Sequence, residues 1–234
     1  MFDMKDNKPL NIIARIRTDF SSKFGIPRQS GLVQSLKGRI VFEKEYRDIQ
    51  ALRGLEGYSH LWIIWKFSES ESENWSPTVR PPRLGGNKRM GVFATRSPYR
   101  PNPIGLSSVK IERIIETGDK GPVIEVSGAD ILDGTPIYDI KPYIAYTDSH
   151  PNASGGFSTD VFENKLKVSF ADGIEENLES EVLNPLKEIL ENDPRPAYQN
   201  DPERIYSFEF ANYHIEFKVN NDELIVISAE KDLK

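Results

Sequence analysis

The chain of 234 residues contains 38% hydrophobic and 28% charged residues, a composition typical of a globular protein with a substantial core. It has no cysteine, which excludes a disulfide framework and a thiolate nucleophile. The longest apolar run, Leu61–Trp65, is far shorter than the roughly 20 residues that span a bilayer, and the N-terminus has no secretory signal pattern. We therefore expect a cytoplasmic protein without a membrane segment.

Charge is distributed unevenly along the chain. From Asp160 onward there are 18 acidic and 8 basic residues, a net charge of −10, whereas the preceding part has 18 acidic and 22 basic residues, a net charge of +4. Such asymmetry indicates two units with different partners. Because the glycine-containing stretch Thr147–Phe157 is typical of a linker, we predict domains at 1–150 and 160–234.

The first unit is predicted to consist mainly of short strands. In chain order we predict strands at Leu10–Phe20, Arg39–Tyr46, 60–67 (buried on both faces), 90–96, 106–115 and 122–130, with a short helix at Arg47–Leu52. Many short strands separated by glycine and proline favour a mainly β fold, a closed or partly closed β-barrel. No glycine fingerprint follows a strand, which argues against a Rossmann nucleotide site.

The second unit is predicted to be a small α+β domain. A strand at 165–170 precedes a helical region at 174–190, in which Pro185 is expected to separate two helices and Asn184 to cap the second. Strands follow at 205–211, 213–219 and 223–229, the last two joined by a turn at Asn220–Asp222. The three histidines of the whole chain share no ligand spacing, so we expect no metal site.

The stretch FATRSPYRPNPIG (93–105) is an unusually stiff loop. Pro98, Pro101 and Pro103 fix their own φ angles and restrict the residues before them. The entropy cost of ordering Arg96 and Arg100 is therefore reduced before a ligand arrives. This pattern favours a functional site, and its structural alternative is a proline-rich turn with solvated arginines.

A second dense stretch is DGTPIYDIKPYI, residues 133–144. Its first four residues predict a turn in which Asp133 bonds backbone amides and Gly134 adopts unusual torsions. Asp139, Lys141 and Tyr143 alternate along an extended segment, so they should point to one face. Such a face is either a salt-bridged sheet surface or a site that handles protons.

Taken together, four segments of the chain resemble the TsaA-like proteins, also called the TrmO group. They are PRQSGLV (27–33), LRGLEGYSHLWIIWKF (52–67), PTVRPPRLGGNKRMGVFATRSPYRPNPIGLSSVKI (77–111) and DGTPIYDIKPYI, and DPRPAY (193–198) is similar to the C-terminal unit of bacterial members. The resemblance implies a homodimeric β-barrel methyltransferase that uses S-adenosylmethionine. Its expected substrate is N6 of threonylcarbamoyladenosine at position 37, beside the anticodon of threonine-reading tRNA.

Carried over from the resemblance, the cofactor contacts fall on residues from several segments: Pro27, Arg28, Gln29, Ser68, Glu69, Arg96, Leu106, Asp133, Gly134, Thr135 and Pro136. One departure concerns Ser68, where many members have histidine. Serine suffices there if the contact is made by the backbone, whereas a side-chain contact would differ in this chain.

For the chemistry, Asp139 is the first candidate base and Tyr143 the second, with Lys141 orienting either or binding the carboxylate of the substrate. Candidates for binding tRNA phosphates or that carboxylate are Arg80, Arg83, Arg89, Arg100 and Asn102.

An aromatic residue, Tyr99 or Trp75, could stack on an unpaired base, although Trp75 could equally be a core residue. The acidic C-terminal unit could select the tRNA or brace the dimer, and Arg195 and Tyr198 could make local contacts. Two other functions remain open: a sensor that binds S-adenosylmethionine or a nucleotide without turnover, and a hydrolase or lyase of S-adenosylmethionine.

Overall fold

The computed structural model describes residues 9–70, 75–81, 88–161, 165–195, 199 and 201–232. The strands of its first part are β1 (Ala14–Thr18), β2 (Lys37–Phe42), β3 (His60–Lys66), β4 (Thr78–Val79), β5 (Met90–Gly91), β6 (Ile104–Glu116), β7 (Pro122–Ser127) and β8 (Pro136–Pro142). In the order β1-β2-β7-β6-β3-β8 they form a closed barrel whose neighbouring strands are antiparallel, while β4 and β5 pair separately. The predicted barrel is confirmed.

The barrel core comes from strands that bury every second side chain. In β3, Leu61, Ile63 and Trp65 are buried, whereas Trp62 and Ile64 between them are only partly covered. The prediction that this strand is buried on both faces was therefore wrong. A continuous apolar run does not by itself distinguish a doubly buried strand from one whose second apolar face lies at the surface.

The second part is a sheet covered by a helix. After the short helix α1 (Ala145–Asp148) come β9 (Lys167–Phe170), α2 (Ser180–Glu191), β10 (Tyr206–Phe210), β11 (Tyr213–Asn220) and β12 (Glu223–Lys231). The sheet order is β10-β11-β12-β9, with β9 parallel to β12. The β11–β12 turn lies where it was predicted, and Asn221 supplies its positive φ of 55°.

Pro185 does not break the helix, contrary to the prediction, because α2 is continuous and Asn184 lies inside it. A proline in this position loses one helical hydrogen bond. Its ring, however, belongs to a buried stripe with helical spacing: Val182, Pro185, Leu186, Ile189 and Leu190. Burial of that stripe against the second sheet outweighs the lost bond.

Two other predicted elements also differ. The helix expected at Arg47–Leu52 is a 3-10 helix, Ile49–Leu52, where the carboxylate of Asp48 accepts a hydrogen bond from the backbone N of Gln50 at 2.9 Å. The strand expected at 90–96 is limited to β5, because Val92–Ala94 form a 3-10 turn closed by a bond from the backbone N of Thr95 to the carbonyl of Val92.

The described residues form two apolar cores, and a segment between β1 and β2 reaches from the barrel into the second core. Residues 19–36 connect β1 to β2, and we call them the bridging loop. Its side chains Phe20, Val33 and Leu36 are buried in the core of the second part, together with the sheet and α2. The sequence-based domain limits remain predictions, but this part of the first unit packs inside the second. No helix in the described residues is long and apolar enough to cross a membrane.

The hydrogen bonds of Glu112 on β6 allow a test of the polar contacts on the barrel surface. Its carboxylate accepts hydrogen bonds from Ser127 Oγ at 2.6 Å and Lys110 Nζ at 3.2 Å, and these lower its pKa from 4.5 to about 2. Because the folded-state pKa is depressed, the stabilisation is present above pH 4.5 and is lost as the pH falls toward 2. At a largely solvated position we expect it to be about 1 kcal/mol or less.

Glu112→Gln should therefore lower the free energy of unfolding at neutral pH and make a smaller difference at about pH 3. Denaturant titrations at both pH values measure this. Glu116→Gln, on the same strand but opposite Pro122, is the control. An equal loss at both pH values would contradict the assignment.

Candidate functional site

The proline-stiffened loop and its neighbours lie at one end of the barrel. Strand β3 is antiparallel to both β6 and β8, so its last residue, Lys66, pairs with Ile104 and its Trp65 pairs with Ile137. The start of β1 lies at the same level, because its second residue, Arg15, pairs with Pro136, and its last residue, Thr18, continues to Asp133. We call this the loop end. Among the predicted cofactor residues, Ser68, Glu69 and Asp133–Pro136 lie in the segments that flank it.

The bridging loop is tied to this end. Arg96 Nη1 donates a hydrogen bond to Gln29 Oε1, which joins two of the predicted cofactor residues directly. The backbone N of Gly31 donates to the carbonyl of Gly128 at 2.9 Å. The hydroxyl of Ser30 accepts from the backbone N of Ser108 at 3.1 Å. The segment around Gln29 is thus held against the residues that follow β7.

The segment after β3 is tied to two neighbours. Phe67 N donates to the carbonyl of Pro103 at 2.9 Å, which connects it with the proline-rich loop. Lys23 Nζ of the bridging loop donates to the carbonyl of Glu69 at 2.6 Å and lies 3.6 Å from its carboxylate. Ser68, between them, is exposed. Three loops remote in sequence therefore meet.

The DGTP turn forms as predicted, and the side chain of Asp133 within it has a structural role. Asp133 Oδ1 accepts from the backbone N of Thr18 at 3.0 Å, and its Oδ2 accepts from Arg17 Nη1 at 3.2 Å. Gly134 has a φ of 74°, the left-handed region that favours glycine. The carboxylate thus fastens the turn to β1. Arg28 is likewise engaged elsewhere, because its guanidinium donates to the carbonyls of Asp193 and Arg195.

A buried polar chain lies beneath these loops. Trp65 Nε1 donates to Ser107 Oγ at 3.0 Å, and Ser107 Oγ donates to Asp130 Oδ1 at 2.6 Å. Burial raises the pKa of Asp130, whereas the bond from Ser107 and the charge of Arg96 lower it. Sequence reasoning missed this chain. Its one signal is the position of Asp130 just after a strand, in GADILDGTP.

The three candidate catalytic residues share one face, as predicted. Asp139 and Lys141 on β8 form an ion pair at 2.9 Å, and the ring of Tyr143 lies 5.6 Å from that of Trp62. Through β3, Asp139 is aligned with Leu106, because Ile64 pairs with both. Two strand spacings separate Asp139 from Leu106, about 10 Å. The ion pair and this predicted cofactor residue therefore lie on the same outer surface of the barrel, with β3 between them.

The arginines expected to bind tRNA are described in part. Arg80 and Arg89 are exposed, and Arg89, just before β5, donates from Nε to Oγ1 of Thr78 on β4 at 2.8 Å. Arg100 Nη1 donates to the carbonyl of Thr95 at 3.0 Å and its guanidinium lies 5.9 Å from the ring centre of Phe93. Asn102 is also exposed. Arg83 and Tyr198 lie outside the described residues.

Exposed aromatic rings accompany these arginines. Trp75 is 52% exposed, so the core alternative for it was wrong, and Tyr99 is 57% exposed. The ring of Phe93, 72% exposed, lies 6.2 Å from that of Trp75. Sequence reasoning did not select Phe93, because a strand had been predicted there. Large exposed rings beside cations are suited to stacking on bases.

The side chains at the loop end match a ligand that carries a negative charge, a positive charge and an apolar ring. Arg96 offers a guanidinium fork for a carboxylate, Glu69 offers a carboxylate, and Leu106, 55% exposed, offers an apolar surface. In the described residues no group of three or more His, Cys, Asp or Glu side chains could hold a metal ion. The fold and the site define a barrel-type enzyme or binding protein rather than a Rossmann protein.

Comparison with known proteins specifies the family. Residues 15–149 match the tRNA-methyltransferase O N-terminal domain and residues 163–232 match the TrmO C-terminal domain. A tRNA (adenine(37)-N6)-methyltransferase of Escherichia coli is 39% identical over 226 residues, which cover 93% of this chain and 96% of that protein. One from Eikenella corrodens is 44% identical over 167 residues, covering 69% of this chain and 91% of that protein.

A solved structure agrees with this assignment. The crystal structure of TrmO from P. aeruginosa has a TM-score of 0.79 and 28% sequence identity, and the alignment covers 99% of this chain and all of that one. The chain belongs to the TrmO family.

A substitution of Ser107 tests how much the buried polar chain stabilises the fold. Ser107→Ala removes the acceptor of the Trp65 indole and a donor to Asp130, so we expect a loss of about 1–3 kcal/mol in the free energy of unfolding. Ser108→Ala is the matched control, because its contact with Ser30 uses the backbone N and survives. Equal denaturation midpoints for the two variants would refute the structural importance of the chain.

Proposed function

We propose that the protein transfers a methyl group from S-adenosylmethionine to N6 of threonylcarbamoyladenosine at position 37 of threonine-reading tRNA. The observation that supports this most is the direct contact of Gln29 with Arg96, which joins the two most distinctive motifs at the loop end. The names of its relatives, tRNA (adenine(37)-N6)-methyltransferases, agree with this activity. A tRNA substrate fits a cytoplasmic protein.

The residues at the loop end fit the cofactor chemically. Arg96 would bind its carboxylate, and backbone groups of Pro27–Gln29 and Ser68–Glu69 would bind its polar groups. The exposed side chain of Leu106 would cover part of its adenosine. Asp133 would act through its turn, Gly134–Pro136, since its carboxylate is bonded to β1. Arg28 would act through the bridging loop, as argued below.

The reaction requires a proton to leave the attacking nitrogen. S-adenosylmethionine supplies an electrophilic methyl group, which nitrogen takes as the carbon–sulfur bond breaks and its electron pair goes to sulfur. N6 is attached to a carbamoyl carbon, so its lone pair is delocalised and a base raises its reactivity. Asp139 is the base that we propose, with Lys141 at 2.9 Å orienting its carboxylate. Tyr143, just beyond β8, remains the second candidate.

The tRNA would approach over the basic surface near the stiff loop. Arg80, Arg89 and Arg100 are candidates for phosphate contacts, with Asn102 beside them. The exposed rings of Trp75, Phe93 and Tyr99 would stack on unpaired bases of the anticodon loop, each worth about 1–3 kcal/mol. RNA sequence is read mainly in such single-stranded loops.

The outer face of β6, β3 and β8 fits a second copy of the chain. Ile104 is 39% and Leu106 55% exposed on this face, and Trp62 and Ile64 are only partly covered. Apolar side chains concentrated on a sheet surface indicate a binding partner. A homodimer through this face would place Asp139 and Leu106 beside the partner.

We therefore expect a mass in solution of twice 26.6 kDa by light scattering. Ile104→Lys should shift the protein toward the monomer, because burying a lysine in an interface is costly. Ile225→Lys, at a residue that is 40% exposed on β12, is the control. A monomeric wild type would refute the homodimer.

Asp139→Asn should lower kcat by about 10²–10⁴-fold and leave the Kd of S-adenosylmethionine unchanged. Lys141→Met, which keeps the carboxylate but removes its ion pair, should have a smaller effect. Single-turnover methylation and calorimetric titration measure the two quantities. Weaker cofactor binding by Asp139→Asn would instead assign Asp139 to holding a ligand.

Labelled S-adenosylmethionine tests the function itself. Methyl transfer is measured with tRNA from cells that make threonylcarbamoyladenosine and from cells that cannot. Label in the first pool alone supports the proposal. Bound cofactor without label in either pool leaves a binding protein, and consumption of the cofactor without RNA indicates a hydrolase or lyase.

A further inference from the structure

The bridging loop belongs to two parts of the protein at once. Its apolar side chains lie in the core of the C-terminal part, where the ring of Phe20 is 5.3 Å from that of Phe210 and the ring of Phe24 is 6.1 Å from that of Phe208. At Gly25, a Cβ would lie 2.3 Å from the ring of Phe208, so the loop backbone itself contacts the second sheet. The C-terminal part therefore determines the shape of this loop.

A polar contact extends this packing to the residues of the site. Arg28 Nη2 donates to the carbonyl of Asp193 at 3.3 Å and to the carbonyl of Arg195. Those carbonyls belong to a turn that has its own internal support. Arg195, only 7% exposed, binds the Asp193 carboxylate with two hydrogen bonds, Nε to Oδ1 at 2.9 Å and Nη2 to Oδ2 at 3.0 Å.

The residue after Arg28 contacts the opposite side of the site. Gln29 receives the bond from Arg96, and Ser30 and Gly31 are bonded to the backbone of β6 and of Gly128. Pro27–Gln29 is thus fixed on one side by the barrel and on the other by the Asp193–Arg195 turn. If the turn is lost, Pro27–Gln29 keeps the barrel contacts and the apolar packing of the bridging loop, but it loses the polar contact made through Arg28.

Charge argues against a broad tRNA-binding role for the C-terminal part. From Asp160 onward the chain has a net charge of −10, which repels the phosphates of tRNA. Arg195 is the basic residue of the conspicuous DPRPAY motif, and its guanidinium is buried against Asp193 and the ring of Tyr206, 5.9 Å from its centre. It is therefore oriented toward the interior of the protein.

We infer that the C-terminal domain positions the cofactor-binding segment: the Asp193–Arg195 turn holds Pro27–Gln29 through Arg28 and thereby sets the affinity for S-adenosylmethionine. Arg28 and Asp193 are positioning residues in this scheme. The inference rests on the proposed location of the cofactor at the loop end.

Asp193→Asn in the full-length protein tests the inference. Asp193 has a φ of 47°, a conformation that asparagine also adopts, so the substitution removes the charge but not the backbone geometry. We expect the Kd of S-adenosylmethionine, measured by calorimetry without tRNA, to rise about tenfold, within the usual range of coupling between sites. The KM for tRNA at saturating cofactor should stay unchanged.

Asp222→Asn is the matched control. It makes the same chemical change in the same domain and breaks an exposed ion pair with Lys167 at 3.0 Å, away from the bridging loop. This variant should bind the cofactor like the wild type. An unchanged Kd in Asp193→Asn, or a raised KM for tRNA alone, would overturn the inference, as would equal weakening by both variants.

Arg28→Met extends the test to the other side of the contact and serves if Asp193→Asn does not fold. Removing Arg28 should weaken cofactor binding about as much as Asp193→Asn, and the double variant should bind no worse than either single one. Additive losses would mean that Arg28 contacts the cofactor directly, which overturns its positioning role. Binding without RNA is independent of methyl transfer. A wild type that binds the cofactor but does not label tRNA would refute the proposed function and leave this inference testable.

Discussion

The closure of the barrel between β1 and β8 is the constraint on which the loop end depends. The seam contains few backbone hydrogen bonds, among them those from Ile13 N to the carbonyl of Ile137 at 2.8 Å and from Ile16 N to that of Thr135 at 3.1 Å. The DGTP turn completes it, because the carboxylate of Asp133 bonds the backbone N of Thr18. This turn therefore stabilises closure as well as bordering the site. The alignment of Asp139 with Leu106 is made separately, because both residues pair with Ile64 on β3.

This mainly β protein builds its candidate site without a glycine fingerprint. In a Rossmann sheet the N-terminus of a helix binds the phosphates of the ligand. Here rigidity comes from proline-braced loops, the buried chain from Trp65 to Asp130, and the bridging loop packed on a second core. Catalysis that depends mainly on holding two reactants in line benefits from such rigidity. The second domain adds to this rigidity because the bridging loop packs in its core.

Much of the fold follows from local sequence. Short apolar runs bounded by glycine and proline predicted most strands, and Gly134 and Asn221 lie at the positive φ angles that their turns require. The stiff loop was recognisable because proline limits the backbone regardless of context. Where tertiary packing competes with a local preference, the predictions failed. Pro185 remains in a helix because its ring is buried, and the segment after β5 bends into a 3-10 turn instead of continuing the strand.

The sequence by itself determined the family, the turns, the positions of most strands and the motifs that carry the candidate site, because each depends on residues close together in the chain. Only the tertiary structure decided what those side chains contact. Arg28 and Asp193 are 165 residues apart, and Ser107 and Asp130 are 23 apart, so no local pattern links them. Which side chains are buried is likewise decided by the assembled fold. Burial raises the pKa of Asp130, whereas Trp75 stays exposed. Contacts between distant segments exist only once the barrel has closed and the bridging loop has packed on the second sheet.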